Sequence, residues 1–197
     1  MTLSPALDEL GFDDAQRLGA LFDRYRERLK QWNRTHNLTG YDDDATIERY
    51  ILDALYPATF LPPIADAMDI GTGAGFPGLM LAAAMPKTRW VLVEPLQKRA
   101  AFLQFVAADL QLKNITVERA RVERLAPRPF DLITSRAVTE TAALLSLSEP
   151  FRSDRTMLLF YKGEKVYDEL PESLPYCVVE AEKRRYLLIN PPKEFAC

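Results

Sequence analysis

The chain has 197 residues, 48% of them apolar and 27% charged, with a formal charge of −3. These proportions belong to a globular domain and exclude disorder, while the acidic total excludes a protein that coats nucleic acid over its whole surface but leaves room for a local basic patch. One histidine, His36, and two cysteines, Cys177 and the terminal Cys197, exclude a metal site built on several histidines and any disulfide framework.

Residues 13–34 carry helical periodicity. Leu18, Leu21, Phe22, Tyr25, Leu29 and Trp32 fall within an arc of about 100° on a helical wheel. Arg17, Arg24 and Arg28 line one border of that arc, and Arg26, Lys30 and Arg34 lie beyond the other. Taken alone, such a face reads as a solvated amphipathic helix before it reads as an RNA contact. A second helix is expected from Ala45 to Leu55, opened by the acidic run Asp42–Asp44, whose carboxylates suit the positive end of a helix. At Pro62-Pro63 the pattern changes. Residues 1–60 are expected to form an N-terminal helical extension packed on the core, and residues 61–197 a second unit in which strands and helices alternate.

In that unit the expected strands are Ala67–Ile70, Arg89–Glu94, Ile115–Glu118, Phe130–Thr134 and Thr156–Tyr161. Helices are expected at Pro77–Ala84, Leu96–Leu110 and Glu140–Leu147. Two last strands, Tyr176–Ala181 and Tyr186–Ile189, read as an antiparallel hairpin at the sheet edge. Alternation of this kind builds a parallel sheet covered on both faces. Ligands then sit outside the carboxyl ends of the strands, which places the site at residues 69–78, 94–98, 120–123 and 134–137. No run approaches the 18 or so apolar residues of a membrane span, and the first residues lack a secretory pattern. Free cysteines without an export signal point to a reducing, cytoplasmic setting.

The sharpest local signal is Asp69-Ile-Gly71-Thr72-Gly73-Ala-Gly75-Phe76-Pro-Gly78. It follows a predicted strand and opens a predicted helix. Its glycines permit positive φ and close approach of a ligand to backbone N–H groups. Glu94, about 20 residues on at the end of the next strand, stands where a ribose-binding carboxylate belongs. Dinucleotides and S-adenosyl-L-methionine compete for such a loop. Asp69 would repel a pyrophosphate and attract the ammonium and sulfonium of the methionine moiety. Unit charges near 4 Å interact by about 4 kcal/mol at an effective dielectric of 20, enough to bias the choice. Asp69, Thr72, Gly73, Gly75 and Glu94 are therefore expected in the cofactor site.

The same string, with Glu94-Pro-Leu-Gln-Lys-Arg99, Phe102-Leu103 and Thr134-Ser-Arg-Ala137, resembles the RsmG (GidB) family of bacterial small-subunit rRNA guanine-N7 methyltransferases. Trp32-Asn33, Asn37-Leu-Thr39, Ile51-Leu-Asp53 and Tyr161-Lys-Gly163 also match, so the resemblance spans most of residues 18–163. Tyr50 stands where the family usually has histidine and Ala54 where it usually has serine. Arg152-Ser-Asp-Arg155 replaces a common Gly-Gly turn.

The resemblance implies a Rossmann-like class I α/β fold, a mostly parallel seven-stranded sheet flanked by helices, as the methyltransferase domain of residues 61–197. It implies S-adenosyl-L-methionine as cofactor, no metal, no membrane, and the 16S rRNA or small ribosomal subunit as partner of a monomeric cytoplasmic enzyme. By analogy Gly71, Phe76, Val122, Glu123 and Arg136 touch the cofactor, with Phe76 and Val122 against the adenosine and Glu123 near the adenine amino group. Arg136 and Lys162 are the expected catalytic residues. RNA contact is expected from the basic helix, Lys98, Arg99, Lys162 and the run Lys183-Arg184-Arg185. Other readings are a methyltransferase for another RNA or a small molecule, a nicotinamide-dependent oxidoreductase, which Asp69 disfavours, and a catalytically silent RNA-binding module, which the intact glycines and acids disfavour.

Overall fold

The computed structural model describes residues 3–136, 139–171, 174–181, 184–192 and 195. Ala137, Lys183 and Cys197, which the sequence reading singled out, lie outside the described residues. Seven strands form one sheet: β1 Asp66–Ile70, β2 Arg89–Val93, β3 Ile115–Glu118, β4 Leu132–Arg136, β5 Met157–Lys162, β6 Tyr176–Ala181 and β7 Arg184–Ile189. Their order is β3-β2-β1-β4-β5-β7-β6. The first five are parallel, and β7 runs antiparallel to both β5 and β6. Order reverses at β1, which pairs with β2 on one side and β4 on the other. That reversal opens the crevice in which α/β sheets bind ligands.

The central strands are apolar on both faces because helices cover both. Met68, Ile70, Leu132, Ile133, Leu158 and Leu159 are all buried. On one face, α2 (Ala15–His36) lays Phe22, Tyr25 and Leu29 into the same apolar cluster as Phe102, Leu103 and Val106 of α5 (Gln97–Asp109). The helix α3 (Asp44–Leu55) begins at Asp43, whose carboxylate accepts the Thr46 N–H at 2.8 Å. Its far end is tied to the sheet by two tyrosines. Tyr161 Oη donates to the Ala54 carbonyl at 2.8 Å, and Tyr186 Oη to the Asp53 carbonyl at 3.0 Å. Two shorter helices, α4 (Gly78–Ala84) and α6 (Thr141–Ser148), complete the layers, and α1 (Ser4–Glu9) packs on α2.

Several details differ from the sequence reading. The helix α1 was not anticipated, since six residues are too few to show a helical period. Strand β4 runs two residues past Thr134, so Ser135 and Arg136 extend the ladder against β5 instead of entering a loop. Strand β7 starts at Arg184, two residues before Tyr186. Cys177, buried on β6, is disulfide-bonded, which corrects the expectation that it is a free cysteine.

The basic face of α2 is largely neutralised within the chain. Arg24 and Arg28 both bind Asp109, at 2.8 and 3.1 Å, and hold its carboxyl below its usual range. Arg26 bonds to Asp23 and Glu48, Lys30 to Asp44 at 2.7 Å, and Arg17 to Asp14. These cations join α2 to α3 and α5.

Candidate active site

The glycine loop leaves β1 and turns tightly over the end of β2. Gly71 and Thr72 donate their N–H groups to the Val93 carbonyl at 2.9 and 3.2 Å, and Gly75 and Phe76 donate to the Thr72 carbonyl at 2.9 Å each. Gly73 has φ +63°, and a Cβ built there would meet nothing within 4 Å, so the loop presents bare backbone to open space. Gly78 is glycine for the opposite reason. A Cβ there would lie 2.5 Å from Leu92 and 2.6 Å from Asp69, inside packed core. From behind, the buried Tyr25 of α2 donates its hydroxyl to the Ala74 carbonyl at 2.6 Å. This brace has no local sequence signal, because Tyr25 reads as one more apolar-face residue.

Glu94 closes the other side of the loop. One carboxylate oxygen accepts the Gly73 N–H at 3.0 Å and the other the Leu96 N–H at 2.8 Å. Each oxygen keeps a further lone-pair direction, which suits a pair of vicinal hydroxyls. Leu96, 55% exposed, extends the rim with apolar surface that the sequence reading did not single out.

Asp69 lies against Gly78 at the start of α4. It is fully buried, and its oxygens accept the Gly78 N–H at 2.9 Å and the Thr134 hydroxyl at 2.7 Å. Both hydrogen bonds come from protein groups that hold the carboxyl in place. Burial pushes its carboxyl up to about 6, opposed by those hydrogen bonds and by the Arg136 charge.

Arg136, at the end of β4, sits in an aromatic and acidic enclosure. Its guanidinium carbon lies 4.5 Å from the Tyr50 ring centre and 5.0 Å from that of Phe76. Its Nη1 donates to Asp53 Oδ2 at 3.3 Å. The Phe76 ring is buried against Tyr25, Tyr50 and Arg136. Tyr41 completes the enclosure, its ring 4.6 Å from that of Tyr50. Burial raises the Tyr41 hydroxyl to about 12, against the lowering charge of Arg136.

Val122 and Glu123 form a short 3-10 turn beyond β3. Val122 is buried in the core beside Val93 and Phe130, and Glu123 is exposed at the rim. Lys162 ends β5 next to the register pair Arg136–Tyr161, so it reaches the same sheet edge. Its ammonium is held by Glu169 at 2.7 Å and by the Thr139 carbonyl at 3.2 Å. Glu169 also accepts the Thr141 N–H and hydroxyl, so the pair anchors the start of α6. Among the described residues no cluster of histidine, cysteine, aspartate or glutamate could hold a metal ion, and no helix is long and apolar enough to cross a membrane.

The family model for rRNA small subunit methyltransferase G, GidB, matches residues 19–189. A "Ribosomal RNA small subunit methyltransferase G" of Wolinella succinogenes is 49% identical over 176 residues, 89% of this chain and 90% of its own. Its counterpart in Aliarcobacter butzleri is 44% identical over 164 residues, 82% and 84% of the two chains. Among solved structures, a methyltransferase from Geobacter sulfurreducens superposes with a TM-score of 0.60 at 14% identity, covering 84% of this chain and 89% of its own. A SAM-dependent methyltransferase from Aquifex aeolicus gives 0.58 at 16% identity over 78% and 96%. At such identities these two establish the fold: the Rossmann-like class I methyltransferase sheet that the strand order shows. The sequence matches go further, and the chain belongs to the GidB family, rRNA small subunit methyltransferase G.

Proposed function

We propose that the chain transfers a methyl group from S-adenosyl-L-methionine to N7 of a guanine in 16S rRNA of the small ribosomal subunit. The observation that carries this reading is the glycine loop at the point of strand reversal, where Gly73 faces open space and its N–H is held by Glu94. S-adenosyl-L-methionine, when bound, supplies a methyl group on a cationic sulfur. Glu94 would take the ribose hydroxyls on its remaining lone pairs. The loop from Gly71 to Gly75, with Thr72, would receive the methionine end, and Asp69 would favour its positive charge from beneath. Val122, Glu123 and Leu96 would border the adenine.

Guanine N7 carries an unprotonated lone pair, so this acceptor asks no general base of the chain. Catalysis then rests on alignment, which can supply about 7–11 kcal/mol. Arg136 would hold the methionine carboxylate, an RNA phosphate or guanine O6 alone. A bidentate grip on O6 and N7, the commonest arginine–guanine contact, would block the attacking lone pair. Lys162 would act on the same edge by fixing the segment before α6. Lys98 and Arg99, beside the cradle, are better placed for phosphate than the paired cations of α2. Working on small subunits, the protein would act in the cytoplasm.

The test is transfer of labelled methyl to small subunits from cells that lack this enzyme, followed by mapping of the modified base. A label on one guanine of the 16S rRNA, released as 7-methylguanine, is the expected result. A label on another RNA, on a small molecule, or none at all would overturn the reading.

A further inference from the structure

Asp53 sits at the junction of three chain segments that lie far apart in sequence. One carboxylate oxygen, Oδ2, accepts from Arg136 Nη1 at 3.3 Å. The other, Oδ1, accepts from Arg184 Nε at 2.9 Å and from the Tyr186 hydroxyl at 3.2 Å. The Asp53 and Arg136 side chains are 13% and 11% exposed. A guanidinium that enclosed needs an opposite charge beside it. Tyr50 and Phe76 lie 4.5 and 5.0 Å from that guanidinium and restrict its plane. They leave its rotation within the plane to directional partners, and beside the Tyr41 hydroxyl Asp53 is the charged one. Asp53 is itself pinned from β7, so it cannot simply follow Arg136.

We propose that Asp53, held by Arg184, is a positioning residue that sets the orientation of Arg136 and offsets part of its charge for the methyl-transfer step. The inference rests on the functional reading above. A guanine that gains a methyl at N7 also gains positive charge. A bare guanidinium at the reaction edge would oppose that change, whereas the Asp53 carboxylate, shared with Arg184, offsets part of that charge while the guanidinium still donates hydrogen bonds. Asp53 thereby acts through Arg136 and touches neither cofactor nor RNA.

The experiment measures kcat, KM for unmethylated small subunits and the affinity for S-adenosylhomocysteine in the wild type, Asp53→Asn, Arg136→Lys and the double variant. Asp53→Asn is expected to lower kcat by about 10²-fold, as a misplaced reacting group does, with a smaller change in KM or S-adenosylhomocysteine affinity. In the Arg136→Lys background the same change should have little further effect, since both variants remove one coupled unit. Wild-type kcat in Asp53→Asn overturns the proposal, as does an Asp53→Asn effect that multiplies independently with that of Arg136→Lys. If Asp53→Asn does not fold, Arg184→Ala takes its place. A severalfold loss of kcat that vanishes with Arg136→Lys supports the proposal, and an unchanged kcat overturns it. An inactive wild type would refute the functional reading instead, so the two failures are told apart.

Discussion

The cofactor side of the site and the Arg136 side are built from different materials. The first is backbone: one continuous loop, residues 69–78, braced by Glu94 through the Gly73 and Leu96 N–H groups and by Tyr25 through the Ala74 carbonyl. The second is side chains drawn together from α3, the loop, β4 and β7: Asp53, Tyr50, Phe76, Arg136 and Arg184. A backbone cradle tolerates little change in its own residues and binds a constant ligand. An assembly of side chains can be retuned one residue at a time.

The largest effect should come from Glu94. Glu94→Ala removes a charged acceptor and leaves the Gly73 and Leu96 N–H groups without it. Hydrogen bonds to charged groups are worth about 1.5–3 kcal/mol, so S-adenosylhomocysteine affinity measured by calorimetry should fall by about 10- to 100-fold. Next comes Gly78→Ala, where the added methyl would press on Leu92 and Asp69. Overpacking of this kind costs about 1–3 kcal/mol, and thermal unfolding should fall by roughly 2–4 °C for each kcal/mol lost. Neither variant should disturb the Asp53–Arg136 pair; if either one does, the division into two independent halves is wrong.

The pH response sharpens the same division. Burial raises the Asp69 carboxyl from 3.8 to about 6. The folded chain thus favours the protonated form, and that contribution to stability is present below about pH 4 and lost as pH rises through 6. Cofactor affinity should run the other way, because ionised Asp69 favours a cationic ligand. Affinity for S-adenosyl-L-methionine is expected to weaken as pH falls from 7 to 5, by at most about tenfold per unit, and to become flat in Asp69→Asn. A flat wild-type profile would show that the buried charge does not reach the cradle. The smallest effect belongs to α2. Arg24→Ala breaks one exposed pair with Asp109 and should cost under about 1 kcal/mol. The salt dependence of small-subunit binding should be unchanged, whereas a slope lower by about one would restore the helix as a phosphate contact.

The cofactor half was legible in the sequence because its determinants are consecutive. Glycines, the strand before them and the acid about 20 residues on can all be read within one window, and strand alternation placed them at the carboxyl edge. Asp69 was legible as a charge near the loop but not as a buried one, because the partners that bury it, Gly78 and Thr134, are set by packing. The Arg136 half was legible only in pieces. Asp53 bonds to residues 83 and 131 positions away, and no local period announces such a pairing. The charges of α2 were legible as a basic stripe, but not their partners Asp109, Asp44 and Glu48, which come from other helices.

Calorimetric titration of the wild-type chain with S-adenosylhomocysteine and, separately, with NADH tests the cradle itself. The account predicts saturable binding of S-adenosylhomocysteine at one site, weakened by Glu94→Ala, and no binding of NADH. Binding of NADH alone, or S-adenosylhomocysteine binding indifferent to Glu94, would contradict it.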